Sequence, residues 1–181
     1  MAVDAHDRDR TIRDHYQRVW SSGDAWSFDS SPYETARFDH LAAALANRRY
    51  RRAVEIGCGA GAFTPRLAAL ADHVLALDVA PAAIERARSR GVAPDRGGAT
   101  VHFLAANAME HDFVASGPWD LVVLAETIYC LGWLYPFFEI GVFAMELAAA
   151  LEPGGRLMLS NTLGADRDWL MRPCLIRTYR D

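Results

Sequence analysis

Val54-Glu55-Ile56-Gly57-Cys58-Gly59-Ala60-Gly61-Ala62-Phe63-Thr64 is the stretch on which the reading of the whole chain turns. A short apolar run enters a loop with glycine at every second position, and a helical pattern follows. Glycine permits a sharp turn and lets a ligand touch the backbone where a Cβ would obstruct it. The helix start beyond the loop offers N–H groups without intrahelical partners to polar ligand atoms. A nucleotide-type cofactor is predicted here, and its identity depends on the rest of the chain.

Downstream, apolar runs alternate with helical patterns. Ala53 to Ile56 reads as a first strand and Phe63 to Leu70 as a helix, with Pro65 tolerated in its first turn. His73 to Leu77 is a second strand ending in Asp78, followed by a helix over Ala82 to Arg90 between Pro81 and Gly91. A loose segment from Val92 to Ala99 leads to a third strand at Thr100 to Leu104 and a turn at Asn107-Ala108-Met109. Asp120 to Ala125 is a fourth strand, Phe137 to Leu151 a helix, Glu152-Pro153-Gly154-Gly155 a turn and Arg156 to Ser160 a fifth strand. Trp169, Leu170, Cys174 and Ile176 suggest a last, partial helix. This alternation predicts an α/β, Rossmann-like, doubly wound and mostly parallel sheet with helices on both faces.

About 50 residues precede the glycine loop. Ile12, Tyr16, Val19 and Trp20 recur at helical spacing, and Ser31-Pro32-Tyr33-Glu34 has the form of an N-cap with a capping box. Residues 1–50 are expected to form a helical lid, with Trp26 and Arg37 closing the pocket or Trp26 serving instead as an aromatic staple that fixes how the segment packs, and residues 51–181 the cofactor-binding core of one domain. Arg48-Arg49-Tyr50-Arg51-Arg52 reads as solvated cations favoured at a helix C-terminus.

Composition narrows the classes. The net charge of −4 supplies no argument for nucleic acid or a membrane surface, and no apolar run approaches the length of a membrane span. Cys58, Cys130 and Cys174 are widely spaced and odd in number, which reads as free thiols in a cytoplasmic protein. The six histidines show neither triad nor metal spacing, so no metal is expected; His111 is a distant candidate base. Of the aromatics Tyr129, Trp133, Tyr135, Phe137 and Phe138, at least half are expected to pack under the next helix.

In this class of fold, ligands bind beyond the C-terminal strand ends where strand order reverses. The glycine loop, Asp78, the Asn107 turn and Glu126 to Tyr129 all fall there. A carboxylate at Asp78, 17 residues past Gly61, can accept hydrogen bonds from both hydroxyls of a ribose. The third glycine comes one residue early for a dinucleotide fingerprint, and Glu55 would repel a pyrophosphate while welcoming an ammonium.

With these features in place, the chain resembles S-adenosylmethionine-dependent methyltransferases of Rossmann-like fold, through Glu55 to Gly61, Asp78 and Leu151-Glu152-Pro153-Gly154-Gly155-Arg156-Leu157. It is more closely similar to the nodulation protein S family of N-methyltransferases, through Trp26 to Glu34, Val54 to Thr64 and Leu124 to Tyr129. The resemblance implies S-adenosyl-L-methionine as cofactor and a small-molecule acceptor, an amine of an amino sugar or oligosaccharide. It implies that Gly57, Cys58, Gly59 and Gly61 line the methionine part of the cofactor and that Glu55 orders its amino group. Asp78 would hold the ribose, Val79 pack on adenine, and Ala108 and Met109 flank it, with Asn107 where the wider family has Asp. Glu126, emerging from a buried strand at the cleft, is the candidate for orienting or deprotonating the acceptor and Tyr129 for a hydrogen bond to a sugar or amine, each with a structural role as the alternative; Glu126 and Trp26 are also expected to contact the cofactor. The family follows its fifth strand with a helix and a β-hairpin. With 21 residues after Ser160, the hairpin is expected to be lacking, leaving an exposed edge through which copies could associate. Rival expectations are an O-methyltransferase of a hydroxylated metabolite, an NAD-dependent oxidoreductase and a non-catalytic cofactor-binding fragment.

Overall fold

A computed structural model describes residues 5–91 and 98–161. Five parallel strands form one sheet in the order β3-β2-β1-β4-β5: β1 Tyr50–Ile56, β2 Ala71–Asp78, β3 Thr100–Ala105, β4 Trp119–Ala125 and β5 Leu151–Ser160. The connections carry α3 Thr64–Leu70, α4 Pro81–Arg90, α5 Phe113–Ser116, α6 Ile128–Leu134 and α7 Phe137–Ala150, while α1 Ala5–Ser21 and α2 Pro32–Leu45 precede β1. The expected doubly wound class is therefore the one observed. Most of the loose segment after Gly91 and the expected last helix lie outside the described residues.

Alternation along the central strands supplies two cores. Val54, Ile56, Val122 and Leu124 pack with Ile128, Ile140, Phe143 and Leu147 of α6 and α7 on one face. Ala53, Leu121 and Val123 pack with Phe38 and Leu45 of α2, Leu67 of α3 and Ile84 of α4 on the other. Order reverses between β1 and β4, and that crevice opens at the carboxyl ends of the strands.

Several local expectations are corrected. Glu152 to Gly155 does not form a separate turn: it lies inside β5 as a bulge, with Trp119 paired to Leu151 and Leu121 already to Arg156. Gly154 takes φ +77 there, which absorbs the extra residues. Ser31 caps α2 by accepting from Glu34 N–H, but the reciprocal half of the box is replaced. Ser31 N–H donates to Ser27 O, and the Glu34 carboxylate accepts from Arg37. Helices α5 and α6 were not anticipated, being short and without a full helical period of apolar residues. Of the five aromatics after β4, only Tyr135 is buried; Trp133, Phe137 and Phe138 are exposed and Tyr129 faces a cavity.

The arginine cluster does not cap α2, which ends at Leu45. It braces the amino-terminal edge of the sheet. Arg48 donates to Gly154 O and Asp120 O, Arg52 to Ser116 O and Gly117 O, and Arg49 pairs with Asp72. Asp120, also buried, accepts from the N–H groups of Arg51 (2.7 Å) and Arg52 (2.9 Å), so one carboxylate joins the starts of β1 and β4. An Asp120→Ala variant strands both donors and should lose about 2–4 kcal/mol of stability. Urea unfolding monitored by tryptophan fluorescence checks this, with a lower midpoint expected at unchanged slope.

Candidate functional site

The carboxyl ends of β1 to β4 open into a cavity of about 380 Å³. That is within the size range of small-molecule sites, about 300–1,000 Å³. Strand order arranges its lining in a line. Asn107 and Ala108 follow β3, Asp78 and Val79 end β2, Glu55, Gly57, Cys58 and Gly59 end β1, and Glu126 and Tyr129 follow β4. At about 4.8 Å between strands, the row spans roughly 14 Å. The N-terminal segment forms the opposite wall, with Ile12, Tyr16 and Trp20 from α1, Trp26 and Phe28 from the loop, and Glu34, Arg37 and Phe38 from α2. Gly61 and Met109 are not among the lining residues: Gly61 packs against Ala87 of α4, and Met109 against the core under α7. His111 stands apart as well, 3.1 Å from Ser116 Oγ.

The glycine loop makes the left-handed turns expected of it and meets a further constraint as well. At Gly57 (φ +76) a Cβ would lie 2.2 Å from Thr127 Oγ1, and at Gly59 (φ +53) 2.7 Å from Trp20 Cζ2. The missing side chains thus admit neighbouring protein atoms, Thr127 after β4 and the indole of α1. Thr127 donates to Ile56 O at 2.9 Å, clamping the β1 and β4 ends together. The sequence places Trp20 on an apolar helix face and Thr127 in the stretch after β4, but ties neither to a glycine, because each contact joins positions distant in the chain.

Asp78 Oδ2 accepts from Gly59 N–H at 3.0 Å and its Oδ1 from Ala80 N–H at 2.9 Å. Desolvation pushes its pKa up to about 6, and the two N–H bonds oppose the rise. Glu55 is fully enclosed and accepts from Thr64 Oγ1 at 2.6 Å; desolvation pushes it up to about 8, Thr64 opposes this, and Asp78 adds to it. Glu55 is therefore largely protonated at neutral pH until a cation arrives.

At the β4 end, Glu126 takes φ +59, a left-handed conformation costing a non-glycine residue about 1–2 kcal/mol. Its N–H donates to Ser160 O at 2.7 Å, which holds the strained residue against β5. Arg37 donates to Glu34 through Nε and Nη2, while its Nη1 has no hydrogen-bond partner and lies 3.9 Å from Glu126 Oε1. Tyr16 donates to Cys130 Sγ at 3.0 Å, joining α1 to α6, and burial keeps the Tyr16 hydroxyl protonated. A chain of rings, Trp20, Trp26, Phe28, Phe38 and Phe63, runs along the wall at centroid spacings of 5.0–5.8 Å.

Residues 9–155 match the model of the family described as nodulation protein S (NodS). The chain belongs to the NodS family. It is 32% identical to nodulation protein S of Rhizobium tropici over 84% of this chain and 62% of that protein. It thus spans about three-fifths of that curated relative's length. Among solved structures it is similar to the N-methyltransferase NodS of Bradyrhizobium japonicum WM9 in complex with S-adenosyl-L-homocysteine. That likeness has a TM-score of 0.67 and 27% identity, covering 80% of this chain and 70% of that one. DhpI in its SAH complex is similar at TM-score 0.65 and 25% identity, covering 85% and 69%. Among the described residues no helix is long and apolar enough to cross a membrane.

The Glu55 carboxyl generates a pH prediction. Its folded pKa of about 8 lies above its ordinary 4.5, so its contribution to stability is complete below about 4.5 and is lost as pH rises through 8. Glu55→Gln keeps the acceptor for Thr64 and removes the titration. Relative to wild type, the variant should gain stability between pH 5 and 9, by at most about 1.4 kcal/mol per pH unit. Urea unfolding at both pH values checks the sign.

Proposed function

We propose that this chain binds S-adenosyl-L-methionine and is an N-methyltransferase acting on a small-molecule amine, with an amino sugar or oligosaccharide as acceptor. The observation that carries this reading is the order of groups along the crevice: amide, carboxylate, buried carboxyl, then Glu126 with Arg37. A purine, a ribose diol, an ammonium and a carboxylate need that set of partners in that sequence. The two hydroxyls of a ribose match Asp78, whose oxygens retain lone pairs beyond those used by Gly59 and Ala80. The unpartnered Arg37 Nη1 suits the cofactor carboxylate, and Glu55 suits its ammonium. When bound, S-adenosylmethionine supplies an electrophilic methyl group.

What the chain contributes is position and a dry site. Trp20, Trp26, Phe28 and Phe38 exclude water and offer ring faces against which a sugar can lie. Glu126, held in a fixed strained conformation at the β4 end, accepts a hydrogen bond from the acceptor amine, which attacks the methyl group as the neutral base; the S–CH3 bond breaks as the N–CH3 bond forms, and the proton of the product ammonium leaves to water. Tyr129 stands one turn along at the same end and orients the acceptor. An amine needs no stronger base than this, which favours N- over O-methylation here. A second reading is cofactor binding without turnover, since the row from Asn107 to Glu55 serves the cofactor alone and only Glu126 and Tyr129 are assigned to the acceptor.

Calorimetry with S-adenosylhomocysteine should give saturable binding to the wild type, with NAD giving none. Asp78→Ala should weaken binding on the order of 10- to 100-fold, the worth of hydrogen bonds to a charged group. An unchanged dissociation constant would refute the ribose role. Wild-type affinity should fall as pH is lowered through about 6, where Asp78 takes up a proton and loses acceptor capacity. Mass-spectrometric assay of an amino-sugar panel should show methyl incorporation lost in Glu126→Gln; binding with no turnover of any acceptor selects the second reading.

A further inference from the structure

We propose that Asp9, near the start of α1, sets the purine specificity of the cavity by forcing the Asn107 carboxamide to show a ligand its oxygen and not its nitrogen. This rests on the cofactor reading above and extends it to a residue outside the cavity lining.

The geometry is a triangle of side chains, Asn107, Asp9 and Tyr135, bonded to one another. Asn107 is buried and lines the cavity beyond β3. Its Nδ2 donates to Asp9 Oδ1 at 2.8 Å and to Tyr135 Oη at 2.9 Å. The Tyr135 hydroxyl itself donates to Asp9 Oδ1. A carboxylate only accepts, and Tyr135 has a single proton, already given to Asp9. Burial, foremost, and the Asp9 carboxylate raise the Tyr135 pKa, so that proton stays in place. Both partners can therefore only receive from Asn107, and both amide hydrogens are consumed. Turning the amide over would set its oxygen against two acceptors in a buried site, which is costly.

The oxygen side follows. Asn107 Oδ1 accepts from Met109 N–H at 3.1 Å and keeps a second lone pair. That lone pair is an acceptor for an exocyclic amino group on a purine. A 6-oxo purine would bring a second acceptor to the same place and leave both unpaired. Sites that read a polar group in this way reject the wrong partner strongly. Asn107 carries no charge of its own, so its orientation is its only means of discrimination. Asp9 imposes that orientation from a segment 98 positions away in sequence.

The test measures dissociation constants of S-adenosylhomocysteine and S-inosylhomocysteine, its 6-oxo counterpart, for the wild type, Asp9→Asn and Tyr135→Phe. The wild type should prefer the amino ligand by roughly 100-fold. Asp9→Asn, which offers donors where only acceptors stood, should reduce that ratio about tenfold, mostly by tighter binding of the 6-oxo ligand. Tyr135→Phe removes one of the two acceptors and should reduce the ratio by less; it also serves if Asp9→Asn fails to fold, which circular dichroism reports. A purely structural role for Asp9 would weaken both ligands equally, and an unchanged ratio in folded variants overturns the proposal. Failure of the wild type to bind either ligand overturns the cofactor reading and this inference with it, and is distinguished by needing no variant.

Discussion

The Asp78 carboxylate bridges two backbone N–H groups, Gly59 in the loop after β1 and Ala80 at the start of α4. Those two loops form the floor of the cavity, and this side chain fixes their relative position together with the Gly57 and Cys58 N–H bonds to Leu77 O. The bridge is made in surroundings whose desolvation raises the carboxyl pKa by more than the two N–H bonds lower it. Under the proposed function, the two hydroxyls of a ribose donate to the lone pairs that Gly59 and Ala80 leave unused. The same group that organises the loops thus lines the cavity with acceptor capacity to spare, which is what makes a structural carboxylate a candidate for binding.

Around that floor, the N-terminal segment is built into the site and not merely laid over it. Trp20 rests on Gly59 where a side chain would stand, Gln17 accepts from Ala82 N–H at the exposed start of α4, and Arg86 donates to Trp20 O. Helix α4 has no capping side chain of its own at Ala80. Its first turn is completed by Asp78 from β2 and Gln17 from α1, so docking of α1 and formation of the floor are mutually dependent. Tyr16 on Cys130 and Asp9 on Asn107 extend the same helix to the β4 and β3 ends of the crevice.

Legibility in the sequence differed by the range of the interaction. The strands, α4 between Pro81 and Gly91, and the Ser31 cap of α2 were all readable, because each depends on neighbours within a turn or a few residues. Glu55, Gly57, Gly59, Asp78, Asn107 and Glu126 were readable as a group, since parallel topology brings every strand's carboxyl end to one side. The arginines of 48–52 were misplaced because their partners, Asp72, Ser116, Gly117, Asp120 and Gly154, lie far along the chain. The Pro153-Gly154-Gly155 turn was misread for the opposite reason: its local chemistry is that of a turn, yet pairing with β4 carries it into the strand as a bulge.

Periodicity, punctuation and the spacing of glycines and carboxylates along the chain determined the fold class and the side of the sheet on which a ligand binds. These follow from local sterics and from the handedness of strand crossovers, which apply to any chain with this pattern. Tertiary structure added a second reason for Gly57 and Gly59 beyond the turn itself, since Thr127 and Trp20 reach them from elsewhere in the chain. It also decided the protonation of Glu55 and Asp78 and the orientation of Asn107. Burial and hydrogen-bond partnership are properties of assembled neighbours, and no single segment carries them.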